Sequence, residues 1–245
     1  MARATRNAVH HPLFARFYLR LSTAAEPKMG PFRDELLAGL SGRVIEIGAG
    51  NGLNFAHYPT TVSEVVAIEP ERLLRQSAVN AALRADVPVD VVPGAAEALP
   101  VKSEAFDAAV VSLVLCSVRD VRRSLAEIRR VLRPGGELRF FEHGRGGGRV
   151  MRVTQRAVDR TVWPLLFGGC HTARDPVGAI RDAGLEIGSY RDPAASGAGP
   201  RLPGSFLVLG TARRPELTEA EGENSEDPGD AESTEGPGPV GPARP

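Results

Sequence analysis

Three glycines at alternate positions, Gly48, Gly50 and Gly52, end the segment Val44-Ile-Glu-Ile-Gly-Ala-Gly-Asn-Gly52. Glycine tolerates φ > 0 and lets a ligand approach the backbone closely. A β-branched run that opens into such a loop marks a ligand site, because ligands of open parallel sheets sit beyond the carboxyl ends of the strands. Glu69 closes the next β-branched run, 17 residues after Gly52. A carboxylate there can accept hydrogen bonds from both hydroxyls of a ribose. Glu46 is the one charged residue of the segment Val44–Gly52. Once buried it needs donors, since an unpaired buried carboxylate is costly; loop N–H groups, or a ligand ammonium through water, are expected to supply them. His143 follows a later apolar run at the same sheet edge and is the best candidate for a general base near neutral pH. Glu142 beside it is placed to orient it. Cys116 and Cys170 are too few for a disulfide framework. With His171 they do not make a zinc set, and Cys116, in an apolar run, reads as core filling. No metal is expected.

These residues need a frame, and the chain alternates strand and helix signals. Short apolar runs at 43–47, 64–69, 87–92, 106–113 and 137–141 read as strands. The fourth is apolar on both faces, as in a covered parallel sheet. Leu74, Ala78 and Ala81 follow Pro70 at helical spacing, and Pro is suited to a helix start. Val121, Leu125, Ile128 and Leu132 mark a helix that Pro134-Gly135-Gly136 stops. One helix is expected over about 149–167 and another over 175–183. Two last strands, 185–190 and 205–211, are joined by a Pro/Gly/Ser loop with no helix between them, so a hairpin is expected. The reading is an α/β, doubly wound sandwich with one antiparallel strand.

The bulk numbers bound the rest. The chain has 245 residues, 42% of them hydrophobic, enough for one sizeable core. Thirty basic and 30 acidic residues balance overall, but nine acidic residues and no basic one lie between Pro215 and Gly236. Residues 215–245 cannot bury enough apolar surface to offset chain entropy, so a disordered acidic Pro/Gly-rich tail is expected. The body before it carries a net charge of +8, spread as arginines along solvated helix faces. No segment has the apolar length of a membrane span, and residues 1–24 lack the apolar run of a signal peptide. A soluble, cytoplasmic chain is expected, with any peripheral membrane contact of minor weight; its oligomeric state is left open. The division read from the sequence is a helical segment over 1–42, a ligand-binding domain over 43–214 and the tail.

The loop and its acid alone do not separate nicotinamide enzymes from adenosylmethionine enzymes. The dinucleotide fingerprint places its third glycine one residue later, where this chain has Leu53. Further segments sharpen the choice: Ala67-Ile-Glu-Pro70, Gly94-Ala-Ala-Glu-Ala-Leu-Pro100, Phe106-Asp107 and Val131-Leu-Arg-Pro-Gly-Gly136. With Glu46–Gly52 they resemble the class I S-adenosylmethionine-dependent methyltransferases, from about Arg43 to Phe141 and more weakly to Thr211.

The resemblance implies a Rossmann-like seven-stranded, mostly parallel sheet whose last strand is antiparallel, and S-adenosylmethionine as cofactor. It implies that Gly48, Ala49, Gly50 and Gly52 line the methionine and ribose portions and that Glu69, followed by Pro70, holds the ribose hydroxyls. Ala95 and Ala96 would offer backbone groups to the adenine, and Ser112 and Leu113 carbonyls to the cofactor's ammonium. Many relatives carry an Asp where Ala95 stands. A narrower resemblance, through Ser112-Leu-Val-Leu-Cys-Ser-Val118, Phe141-Glu-His143 and Trp163-Pro-Leu-Leu-Phe-Gly-Gly-Cys170, is to thiol S-methyltransferases. It implies a small, partly apolar acceptor, with a thiol as the lead. A nicotinamide oxidoreductase and a non-catalytic cofactor-binding module are the alternatives. Nucleic acid is not expected as a partner, because no Asn- or Asp-Pro-Pro-aromatic motif follows the fourth strand.

Overall fold

The β-branched runs form the centre of a seven-stranded sheet in a computed structural model that describes residues 12–161, 163–193 and 201–216. Strands β1 (Gly42–Ile47), β2 (Val62–Ile68), β3 (Val89–Val92), β4 (Phe106–Ser112) and β5 (Leu132–His143) run parallel. The last two, β6 (Glu186–Arg191) and β7 (Leu207–Arg213), form the expected antiparallel hairpin. β7 inserts between β5 and β6 and runs antiparallel to both. The order β3-β2-β1-β4-β5-β7-β6 reverses direction between β1 and β4. That reversal is the switch point at which an open α/β sheet binds its ligands.

Both faces of the sheet are covered. On one, Ile45, Ile47, Ala109, Val111, Leu138 and Phe140 pack with Leu125 and Ile128 of α3 (Val121–Val131) and Ile180 of α6 (Pro176–Asp182). Leu125 and Ile128 are fully buried, each contributing roughly 1.5–3 kcal/mol by burial. The other face takes Leu36 and Leu37 of α1 (Pro12–Leu37) and Ala78 of α2 (Arg72–Ala82).

Three expectations are corrected. β5 begins at Leu132, with Pro134 and the two glycines inside it: Phe106 already pairs with Leu132 before a register shift, so the turn residues sit in a bulged strand entry. The helix expected over 149–167 breaks into α4 (Arg149–Asp159) and the short α5 (Trp163–Leu166), because α4 is closed at Arg160 and Pro164 opens a new turn. Helix α2 starts at Arg72, two residues after Pro70, because the Glu71 side chain caps it by accepting from Leu73 N–H. The expected tail lies outside the described residues but for Pro215 and Glu216, and the hairpin loop is undescribed over 194–200. Among the described residues no helix is long and apolar enough to cross a membrane.

Candidate active site

The glycine loop leaves β1 with all three glycines in the left-handed region: φ is 71° at Gly48, 57° at Gly50 and 80° at Gly52. Their reasons differ. A Cβ on Gly52 would stand 2.7 Å from Phe55 and 2.8 Å from Ala81, so this glycine lets the loop close onto α2. A Cβ on Gly48 would stand 2.5 Å from the Val114 side chain, across the gap to the segment after β4. Gly50 faces the ring of Tyr18 on α1, 3.4 Å from the position of a Cβ. The loop is pinned to the neighbouring strand, with Gly48 and Ala49 N–H donating to Ile68 C=O at 2.8 and 3.0 Å.

Glu69 stands where the sequence placed it, at the end of β2 and almost fully buried. One carboxylate oxygen accepts from Gly50 N–H and the other from Glu71 N–H, both at 2.8 Å. Pro70 follows it; it has no N–H to donate, and its C=O accepts from Arg75 at 3.0 Å. A carboxylate offers about four acceptor positions, so about two remain for a ligand. Burial raises the Glu69 carboxyl to about 7 against the pull of those two N–H groups.

Glu46 is buried, as expected, but its donors are not loop N–H groups. Asn54 Nδ2 and Tyr58 O–H each donate to it at 2.8 Å. Burial lifts this carboxyl to about 7 as well. Arg33 of α1 reaches the same place, donating to Asn54. Tyr18, Arg33, Glu46, Gly48, Ala49, Asn51, Ser112 and Leu113 enclose a cavity of about 20 Å³. Leu113 has φ 59°, a conformation costing a leucine about 1–2 kcal/mol; its N–H donates to Phe141 C=O at 2.7 Å. Ala95 and Ala96 lie beyond β3, where Ala95 C=O accepts from Ala98 N–H and Ala96 is buried.

At the next strand end the structure assembles what spacing alone did not show. His143 Nδ1 lies 3.5 Å from Cys116 Sγ and 3.4 Å from Cys170 Sγ. Cys116 follows β4, His143 ends β5 and Cys170 follows α5. His171, the partner considered from the sequence, turns away to Gly169 C=O. The Cys116 thiol's hydrogen bond draws Cys170 down to about 5, with His143 adding to it, and the same pairing with burial pushes Cys116 well up. Burial works against a charged His143, but the hydrogen bond and charge of Cys170 together with the carboxylates of Glu142 and Asp159 outweigh it, and the imidazole is raised. Glu142 does not bond the ring. Its carboxylate accepts from the N–H groups of Val114, Leu115 and Cys116 at 2.8, 2.9 and 3.2 Å, so it fixes the loop that carries Cys116. Burial raises it to about 7. A cleft of about 810 Å³ between α3 and α6 opens onto Cys116 and His143.

Comparison with known proteins identifies the family. A family described as a methyltransferase domain matches residues 45–140. The human thiol S-methyltransferase TMT1A is 32% identical over 183 residues, which is 69% of this chain and 74% of that protein. The chain belongs to the S-adenosylmethionine-dependent methyltransferases. The human thiol S-methyltransferase TMT1B is 35% identical over 165 residues, 64% of this methyltransferase and 66% of that protein. Among solved structures, an S-adenosylmethionine-dependent methyltransferase from Mesorhizobium loti superposes with a TM-score of 0.59 at 19% identity, covering 76% of this chain and 97% of that one. One from Aquifex aeolicus gives 0.57 at 15%, covering 82% and 98%. The shared fold is the seven-stranded, mostly parallel sheet with its antiparallel pairing.

The residues present fit the cofactor this family uses. Glu69 keeps acceptor positions for ribose hydroxyls, and the glycine loop admits backbone contact. Arg33 brings a cation, and Glu46 and the end of β4 bring acceptors, to one small cavity.

Proposed function

We propose that this methyltransferase transfers the methyl group of S-adenosylmethionine to the sulfur of a small, partly apolar thiol in a cytoplasmic setting. The observation that supports the acceptor reading is the position of His143, at the end of β5 on the same sheet edge as the glycine loop, with β4 between them, and facing two sulfur atoms. The thiol S-methyltransferase names of the relatives support it too.

Glu69 holds the ribose through both hydroxyls, and Gly48, Ala49, Gly50 and Gly52 line the methionine and ribose portions. Pro70 turns the chain away behind Glu69. Ala95 and Ala96 flank the adenine through the backbone, with one lone pair of Ala95 C=O already engaged by Ala98 N–H. The carbonyls of Ser112 and Leu113 face the ammonium, and the Leu113 strain is spent on aiming them. Glu46 closes that end of the pocket, and Arg33 meets the cofactor's carboxylate. A cavity of about 20 Å³ is too small for a nucleoside, so Tyr18 moves off Gly50 when the cofactor enters. Bound there, the cofactor supplies a methyl group already activated on a sulfonium, so orientation carries much of the catalysis.

The acceptor arrives through the cleft between α3 and α6. A thiol with a pKa of roughly 8.5 needs only modest help to ionise. His143 takes its proton, and Glu142 keeps the facing loop in place. The thiolate then attacks in line, so that the new carbon–sulfur bond forms as the sulfonium bond breaks.

Thermal unfolding with S-adenosylmethionine, S-adenosylhomocysteine and NADH in parallel tests the cofactor. A ligand at 100 times its dissociation constant adds about 2.7 kcal/mol, roughly 5–10 °C for a domain of this size. A shift with both adenosyl ligands, absent with NADH and lost in Glu69→Ala, supports the reading. A shift with NADH alone overturns it.

A further inference from the structure

Cys116 Sγ, His143 Nδ1 and Cys170 Sγ lie within 4.8 Å of one another. The two sulfur-to-nitrogen separations are 3.5 and 3.4 Å. A tetrahedral Zn²⁺ with sulfur at about 2.3 Å and imidazole nitrogen at about 2.0–2.1 Å sets that edge at about 3.6 Å. Both nitrogen-to-sulfur edges therefore match such an ion to within about 0.2 Å, and the two sulfurs lie within 4.8 Å of each other. Two thiolates and an imidazole are also a soft donor set, which selects zinc and its thiophilic neighbours over magnesium or calcium.

Each ligand-bearing segment is held by its own hydrogen-bonded clamp. Glu142 fixes the Cys116 loop through three backbone N–H groups. Asp159 accepts from Thr172 N–H, Thr172 O–H and Ala173 N–H at 2.7, 3.0 and 2.9 Å, holding the segment after Cys170. Gln155, fully buried, ties Thr172 C=O to Gly144 and Gly146 just past His143. The two cysteine loops are joined directly, with His171 N–H donating to Cys116 C=O at 2.9 Å. Outer hydrogen bonds that fix ligand orientation are what working metal sites carry.

We infer that Cys116, His143 and Cys170 are three ligands of a Zn²⁺ ion whose fourth position opens to the cleft between α3 and α6 and takes the sulfur of the acceptor thiol. Three protein ligands with one open position is the arrangement of catalytic rather than structural zinc. The cleft is lined by both Cys116 and His143, which gives the fourth position its access. An incoming thiol binds as thiolate: its S–H bond breaks, a zinc–sulfur bond forms, and the proton leaves to solvent. No oxidant or reductant is involved. The identity of the fourth ligand rests on the thiol reading above, and under this inference His143 serves the loss of the proton through the metal. The three protein ligands rest on geometry alone.

The test uses the full chain, stripped with a chelator under reducing conditions and titrated with Co²⁺ and then Zn²⁺. One equivalent of Co²⁺ is expected to give thiolate-to-metal charge-transfer absorption and the visible bands of a tetrahedral ion, and Zn²⁺ to displace it. Cys116→Ser, Cys170→Ser and His143→Ala are each expected to weaken Zn²⁺ binding by at least the roughly 10–100-fold that losing even an outer partner costs. Zn²⁺ is also expected to slow alkylation of both cysteines in the unmodified protein, a readout that needs no variant to fold. Ethanethiol added to the Co²⁺ form, without S-adenosylmethionine, is expected to shift the charge-transfer band. No stoichiometric uptake, uptake indifferent to all three substitutions, or a Cys116–Cys170 disulfide in place of metal would overturn the site. Metal bound but indifferent to ethanethiol would overturn the open fourth position. Metal and ethanethiol both bound, with no methyl transfer to any thiol, would leave the site standing and overturn the thiol-methylation reading instead.

Discussion

If Glu69 holds a ribose through two hydroxyl donors, it must do so as a carboxylate, and burial has made that form costly. Its carboxyl stands at about 7 in the free protein rather than near 4.5. At pH 6 about a tenth of the molecules then carry an ionised Glu69, and at pH 8 about nine tenths do. A ligand that requires the ionised form binds roughly tenfold more tightly at pH 8 than at pH 6, about 1.4 kcal/mol. At pH 7 its binding releases about half a proton. Titration calorimetry with S-adenosylhomocysteine at pH 6, 7 and 8 reads the affinity, and repeating it in buffers of different ionisation enthalpy counts the proton. Glu69→Gln keeps the shape and removes the ionisation. Any titration of the ligand's own amino group is common to both proteins and cancels. The tenfold change from Glu69 is expected in the parent and lost from Glu69→Gln, whose slope is the smaller by that amount. An equal slope in both proteins, or an affinity that falls as pH rises, would refute the assignment of Glu69 to the ribose.

Three further outcomes follow from particular contacts. Gly48→Ala combines a left-handed φ of 71° with a Cβ 2.5 Å from Val114; it is expected to cost about 1–2 kcal/mol from the backbone alone, more with the overlap, and to lower both melting temperature and cofactor affinity. Gln155→Leu strands Gly144, Thr172 and Pro203 carbonyls and the Gly146 N–H; a loss of roughly 3 kcal/mol or more is expected in urea unfolding. Glu46 concerns stability against pH. Its carboxyl is lifted from 4.5 to about 7, so the folded state holds a proton that the unfolded state has lost between those values. Stability therefore falls as pH rises through that window, by on the order of 3 kcal/mol from this group. Urea midpoints at pH 5 and 8 should show the fall, and Glu46→Gln should lessen it.

The cofactor end of the site was legible in the sequence because its signals are local. Gly48, Gly50 and Gly52 sit within five residues, and Glu69 ends the adjacent strand. The antiparallel hairpin followed from the missing helix between the last two strands. The acceptor end was less legible. Cys116 follows β4 and His143 ends β5, neighbouring strands whose register pairs Ser112 with Phe141, so their meeting could have been read from the strand order. Cys170 could not, because it arrives only through the break between α4 and α5 and the clamps of Gln155 and Asp159. The donors to Glu46 were missed for a similar reason: Asn54 and Tyr58 lie on the irregular turn after the loop, where no periodicity marks which side chains point inward. Tyr18 and Arg33 come from α1, far from the glycine loop in sequence. No local signal in that stretch tells that Tyr18 lies over Gly50.

The most direct test of the central claim is a competition. The protein is given S-adenosylmethionine carrying a deuterated methyl group and an equimolar mixture of a small alkyl thiol, amine and phenol, and the products are read by mass spectrometry. The expected result is a labelled thioether formed in step with S-adenosylhomocysteine and lost in His143→Ala. A labelled amine or ether with the thiol untouched would contradict it.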